Sequence, residues 1–137
     1  MLFALFAVVL LGCEPQYSHD RPDTEPNRAG FQKHFGFPAP DSVSNLYYFA
    51  DALGADVKYQ LGFSADGAVI QEIVDKHQLT EANDETHIPT AREFDWWVSD
   101  EVKMLPVYWK KTADKEYYRY LWYSKETMQA YYLEYSL

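Results

Sequence analysis

The stretches Glu116-Tyr-Tyr-Arg-Tyr-Leu-Trp-Tyr-Ser124 and Met128-Gln-Ala-Tyr-Tyr-Leu-Glu-Tyr-Ser136, joined across Ser124-Lys-Glu-Thr127, decide the fold. Both are dense in aromatic side chains, which favour the pleated, half-buried surface of a strand. The polar residues between them read as a turn. Upstream, Leu105 to Lys110 reads as another strand, with Pro106 at its start, where a missing N–H is tolerated. Thr112-Ala-Asp-Lys115 is the turn that follows it. Three such strands in succession predict an antiparallel meander. Alternation along a strand places Tyr118, Tyr120 and Trp122 on one face and Tyr117, Leu121 and Tyr123 on the other.

Working outward, Leu46, Tyr47, Tyr48 and Phe49 have strand composition, and a turn follows at Asp51-Ala-Leu-Gly54. Val57, Tyr59, Leu61 and Phe63 then alternate with Lys58, Gln60, Gly62 and Ser64, the pattern of a half-buried strand. The two segments are expected to pair as a hairpin. The period changes next. Val69, Ile70, Ile73, Val74 and His77 share one helical face, with Ser64 or Asp66 available as a cap, so a helix is predicted from about 66 to 78. Residues 80–92 are polar and aperiodic. The order strand, strand, helix, strand, strand, strand predicts an α+β domain over residues 42–137, with one helix packed on one face of a small antiparallel sheet.

The N-terminus is of a different kind. Met1-Leu-Phe-Ala-Leu-Phe-Ala-Val-Val-Leu-Leu-Gly12 is an uncharged apolar run that stops at Cys13, the only cysteine. Its twelve residues fall short of the roughly 20 needed to cross a bilayer. They fit the apolar region of a secretory signal, roughly 7–15 residues. The end of the run, Leu10-Leu11-Gly12-Cys13, resembles the lipobox of bacterial lipoproteins. That resemblance implies cleavage before Cys13, acylation of its sulfur, and a cell-envelope location on the inner or outer membrane. It implies nothing about the folded domain. Residues 13–41 are expected to form the lipidated cysteine and a disordered, Pro-rich tether, punctuated by Pro15, Pro22, Pro26, Pro38 and Pro40. Phe31, Phe35 and Phe37 are out of place in a tether and are expected to dock on the domain.

Removal of residues 1–12 leaves 125 of the 137 residues, the size of one domain. The formal net charge of −9 argues against nucleic acid as a partner. With one cysteine no intrachain disulfide forms. The domain therefore relies on a core rich in aromatic residues, which make up 18% of the chain.

No motif for nucleophilic catalysis or phosphate binding is present: there is no GxSxG, no SxxK and no Gly-rich loop. Asp84, Glu85 and His87 have the donor types of a metal site but no recognised spacing, and read as a solvated acidic loop. No metal or other cofactor is expected, and neither is catalysis. The candidate binding surface is aromatic: Trp96, Trp97, Tyr118, Tyr120 and Trp122. One helix covers one sheet face, so the other face is expected to receive another envelope protein or, alternatively, a glycan such as peptidoglycan. A third expectation is inhibition of a basic envelope-active hydrolase or toxin, which the negative charge would suit.

Overall fold

The computed structural model describes residues 18–51, 57–112 and 117–136. The apolar run of residues 1–12 and Cys13 lie outside the described residues. The domain is α+β, built on a single antiparallel sheet of six strands in the order β1-β2-β6-β5-β4-β3. The strands are β1 (Ser44–Asp51), β2 (Lys58–Ser64), β3 (Thr80–Glu81), β4 (Val107–Lys111), β5 (Tyr117–Ser124) and β6 (Gln129–Ser136). The helices are α1 (Glu25–Phe35), α2 (Gly67–His77) and the single-turn α3 (Ser99–Val102).

The expected hairpin forms, with Tyr48 opposite Leu61 and Ala50 opposite Tyr59. So does the meander, with Leu121 opposite Tyr132 and Trp122 opposite Tyr131. The two halves meet where β2 pairs with β6, Leu61 opposite Tyr132. The predicted helix is α2: the Asp66 carboxylate accepts from the Val69 N–H at 3.1 Å, and Val69, Ile70 and Ile73 are buried. In the otherwise irregular 80–92 stretch, Thr80 and Glu81 pair with β4 as a short edge strand.

Residues 18–41 depart from the expected tether. They are folded onto the sheet. Thr24 caps α1 by accepting from the Asn27 N–H at 3.2 Å, and Pro26 occupies the first turn. A proline there loses no helical hydrogen bond, so it starts a helix rather than preventing one. Phe31 and Phe35 are fully buried, and Phe37 packs against the same core, as their composition demanded. Two helices therefore cover the face formed by Tyr48, Leu61, Phe63, Leu121, Tyr123 and Tyr132. The fit over β1 is close. A Cβ built on Gly30 of α1 would stand 2.4 Å from Tyr48 Cδ1, so only glycine allows this approach.

Ahead of α1, residues 18–23 run beside the outer edge of β1. The Asp23 N–H donates to the Leu46 carbonyl at 2.8 Å, and the Asp23 carboxylate accepts from the Leu46 N–H at 3.0 Å. Asn27, fully buried, fastens this segment. Its Nδ2 donates to the carbonyls of Ser18, Arg21 and Leu46 at 2.8–2.9 Å, and its Oδ1 accepts from the Ser18 N–H at 2.6 Å. Satisfying these edge groups protects a strand that would otherwise template aggregation.

Candidate functional site

The second sheet face carries Tyr118, Tyr120, Trp122, Leu133 and Tyr135, and it is not open. The aperiodic segment from Ala91 to Leu105 lies across it and supplies Trp97 and Val102, both buried. A fully buried glutamine anchors this cover: Gln60 Nε2 donates to the Arg92 carbonyl and its Oε1 accepts from the Arg92 N–H, both at 3.0 Å. Tyr120 donates to the His87 carbonyl at 2.8 Å.

The five residues expected to form a binding face are thereby separated in role. Trp97, Tyr120 and Trp122 are buried side chains of the second core, with Trp97 edge-on to Trp122 at 5.7 Å. They are removed from solvent and present no face to a partner. Tyr118, Tyr120 and Trp122 share one face as the alternation predicts, but the apolar residues of the cover follow neither a helical nor a strand period and so give no sign of it in the sequence. Tyr118 is half-buried, stacks on Tyr135 at 4.8 Å, and lines a cleft of about 570 Å³ with Asp51, Lys58 and His87. Trp96 is half-buried. Tyr47 stacks on it at 5.3 Å and 9°, and Phe94 at 4.8 Å and 4°. Its Nε1 donates to the His19 carbonyl at 2.6 Å. Its ring sits where a Cβ on Gly62 would be, 2.6 Å from Trp96 Cε3.

Trp96 does wall a second cleft, of about 540 Å³, between the start of β1, the start of β6 and the 95–105 segment. Asn45, Asp95, Glu101, Gln129 and Tyr131 also line it, and no lining residue is basic. Burial raises the Tyr131 hydroxyl above its ordinary value, and the Glu101 carboxylate adds to the effect. The cleft thus has negative charge, amide hydrogen-bonding groups and aromatic walls.

A third constellation lies under the helices and was not foreseen. Glu134 is the centre of it. Its Oε2 accepts from His34 Nδ1 at 2.9 Å and from the Tyr117 hydroxyl. Its Oε1 accepts from the Tyr132 hydroxyl at 2.7 Å, and the Arg119 guanidinium stands 3.5 Å away. His34 Nε2 meets the Tyr48 hydroxyl at 2.8 Å. Arg119 also donates to His77 Nδ1 at 2.9 Å, while His77 Nε2 donates to the Phe35 carbonyl at 3.2 Å. Burial alone would raise the Glu134 carboxyl. The hydrogen bond and charge of His34, with the Tyr117 and Tyr132 hydroxyls, outweigh it and bring the group down to about 2. Burial pushes the Tyr132, Tyr117 and Tyr48 hydroxyls up, and the Glu134 charge adds to it. Burial, followed by the Arg119 charge, lowers His77.

One signal for this network was present in the sequence. Glu134 and Arg119 are single charges in otherwise aromatic runs, and a turn at 124–129 puts them opposite each other. His34 gave none, because it stands 100 residues from its partner. Among the described residues no group of three or more His, Cys, Asp or Glu side chains converges as metal ligands would. Comparison with family models, curated proteins and solved structures returns no match.

Proposed function

We propose that this chain is a bacterial cell-envelope lipoprotein, anchored through acylated Cys13, whose domain is a non-enzymatic module that binds a basic segment of another envelope protein. The observation that carries the binding reading is the cleft beside Trp96: Asp95 and Glu101 line it, no basic side chain does, and Asn45 and Gln129 supply amides. A Lys- or Arg-bearing segment complements that lining, and the −9 charge of the chain steers such a partner toward it. A basic hydrolase or toxin presents the same chemistry. The glycan reading has less support, because Tyr47 and Phe94 already stack on the Trp96 ring and Trp97 is buried. The non-enzymatic reading is supported by the position of Glu134, the most strongly perturbed carboxylate, which is buried beneath the helices.

The test of the cleft is an NMR titration with a Lys/Arg-rich peptide. Shifts should map to Tyr47, Asp95, Glu101 and Tyr131, weaken with added salt, and largely vanish in Asp95→Asn/Glu101→Gln. Equal binding by that double variant refutes the site. Fatty-acid labelling tests the anchor: incorporation should be lost in Cys13→Ser, and absence of label in the parent chain overturns it.

A further inference from the structure

We infer that the cleft beside Trp96 takes an arginine side chain in preference to a lysine, presented by a partner segment with apolar residues on either side of it. This rests on the binding reading above and names the side chain that the partner supplies. The floor of the cleft follows from strand register. Tyr47, Gly62 and Tyr131 stand opposite one another on β1, β2 and β6. Gly62 has no side chain, and the Trp96 ring occupies the space that a Cβ there would take. Three half-buried rings, Tyr47, Trp96 and Tyr131, therefore come together in the lining. One row nearer the strand ends, Ser64, Gln129 and Ser124 are opposed on β2, β6 and β5. The Ser64 hydroxyl donates to Gln129 Oε1 at 3.1 Å and accepts from Asn45 Nδ2 at 3.5 Å. With its Nδ2 so engaged, Asn45 contributes its Oδ1 as an acceptor, alongside the carboxylates of Asp95 and Glu101 in the same lining.

Neither Asp95 nor Glu101 has an ion-pair partner among the described residues. The cations nearest to the lining in the chain are offset: Lys103 pairs with Asp100 at 2.9 Å, and Lys125 is followed by Glu126. The cation that complements this cleft therefore comes from outside. A lysine ammonium is compact and strongly hydrated, and it would shed its water against half-buried rings. A guanidinium is flat and more weakly hydrated, stacks on aromatic faces, and offers five N–H groups in one plane to carboxylate and amide oxygens. The rim adds the second requirement. Val98 is exposed and lines the cleft, and the exposed Met104 and Met128 adjoin the lining residues Leu105 and Gln129 in the chain. Exposed apolar side chains around a charged cleft fit a partner that brings apolar residues on both sides of its cation.

The test uses the parent protein and three short Gly/Ser peptides, each with one variable residue between two leucines: arginine, lysine, or citrulline, which keeps the shape of arginine without its charge. NMR titration should give about fivefold tighter binding for the arginine peptide than for the lysine peptide, and no saturable shifts for the citrulline peptide. Ring currents should move the arginine δ protons upfield on binding, with intermolecular NOEs to the Tyr47 or Tyr131 ring. Equal affinity for arginine and lysine, binding of citrulline as tight as that of arginine, or arginine binding without the upfield shift overturns the inference. Equal affinity for the two cations leaves the basic-segment reading standing, whereas absence of binding by either overturns both.

Discussion

Replacing Glu134 by Gln tests the physical account of the buried network most directly. The carboxylate accepts from His34, Tyr117 and Tyr132 and faces Arg119, and these partners bring it from its ordinary value of 4.5 to about 2. At about 1.4 kcal/mol per unit, the ionised group stabilises the folded state by about 3 kcal/mol at neutral pH. A glutamine keeps the volume but loses the charge, and it turns an N–H₂ toward a cluster of donors. The predicted loss at pH 7 is therefore about 3 kcal/mol, within the range for breaking a buried ion pair. The sign of the pH dependence follows from the depressed value. Between 4.5 and about 2 the unfolded chain binds the proton and the folded chain does not. The stabilisation is thus complete above 4.5 and is lost as pH falls toward 2. At pH 3 the gap between parent and variant should have shrunk to about 1 kcal/mol. Urea unfolding followed by tryptophan fluorescence at pH 7, 5, 4 and 3 measures it. A gap that stays constant with pH, or a variant as stable as the parent at pH 7, refutes the assignment of Glu134 as the charged hub.

Three further outcomes follow from the same structure. Gly30→Ala should destabilise the protein by about 1–3 kcal/mol through displacement of Tyr48, despite a gain in helix propensity of about 0.5–1 kcal/mol; thermal unfolding reads the net sign, and a stabilised variant contradicts the close packing. Asn27→Ala should release residues 18–21 from β1, costing about 1–3 kcal/mol for the unpaired groups left behind, and hydrogen exchange at the Tyr48 amide, which donates to the Ser18 carbonyl, should speed up. His77 has a lowered value in the fold, so its contribution is present above the ordinary imidazole value of 6.5 and is lost as pH falls below it. In His77→Gln the stability change just below pH 6.5 should flatten, while the Glu134 window below pH 4.5 persists, as urea midpoints across pH will show.

The sequence by itself determined the elements whose signals are local. Period-two alternation marked β2 and the β5–β6 hairpin, helical spacing marked α2, and the resulting α+β class stands. Helix α1 was also written locally, in Thr24-Glu-Pro-Asn27, but five prolines in a short polar stretch looked like a tether. The helix exists because Phe31 and Phe35 bury themselves on the sheet, a tertiary gain that outweighs weak propensity. The fate of the aromatic face was not legible at all. Trp97 and Val102 become core through contact with a sheet face assembled from β4, β5 and β6, and no sequence period records such contact. The candidate cleft exists only because that cover leaves a gap between Trp96 and the strand ends. His34 and Glu134 meet because α1 lies across the sheet, 100 residues away in the chain. Alternation and capping act between neighbours and survive in the sequence. Pairing across the sheet, enclosure of polar groups and the shape of a cleft arise between distant segments, and only the tertiary structure decided them.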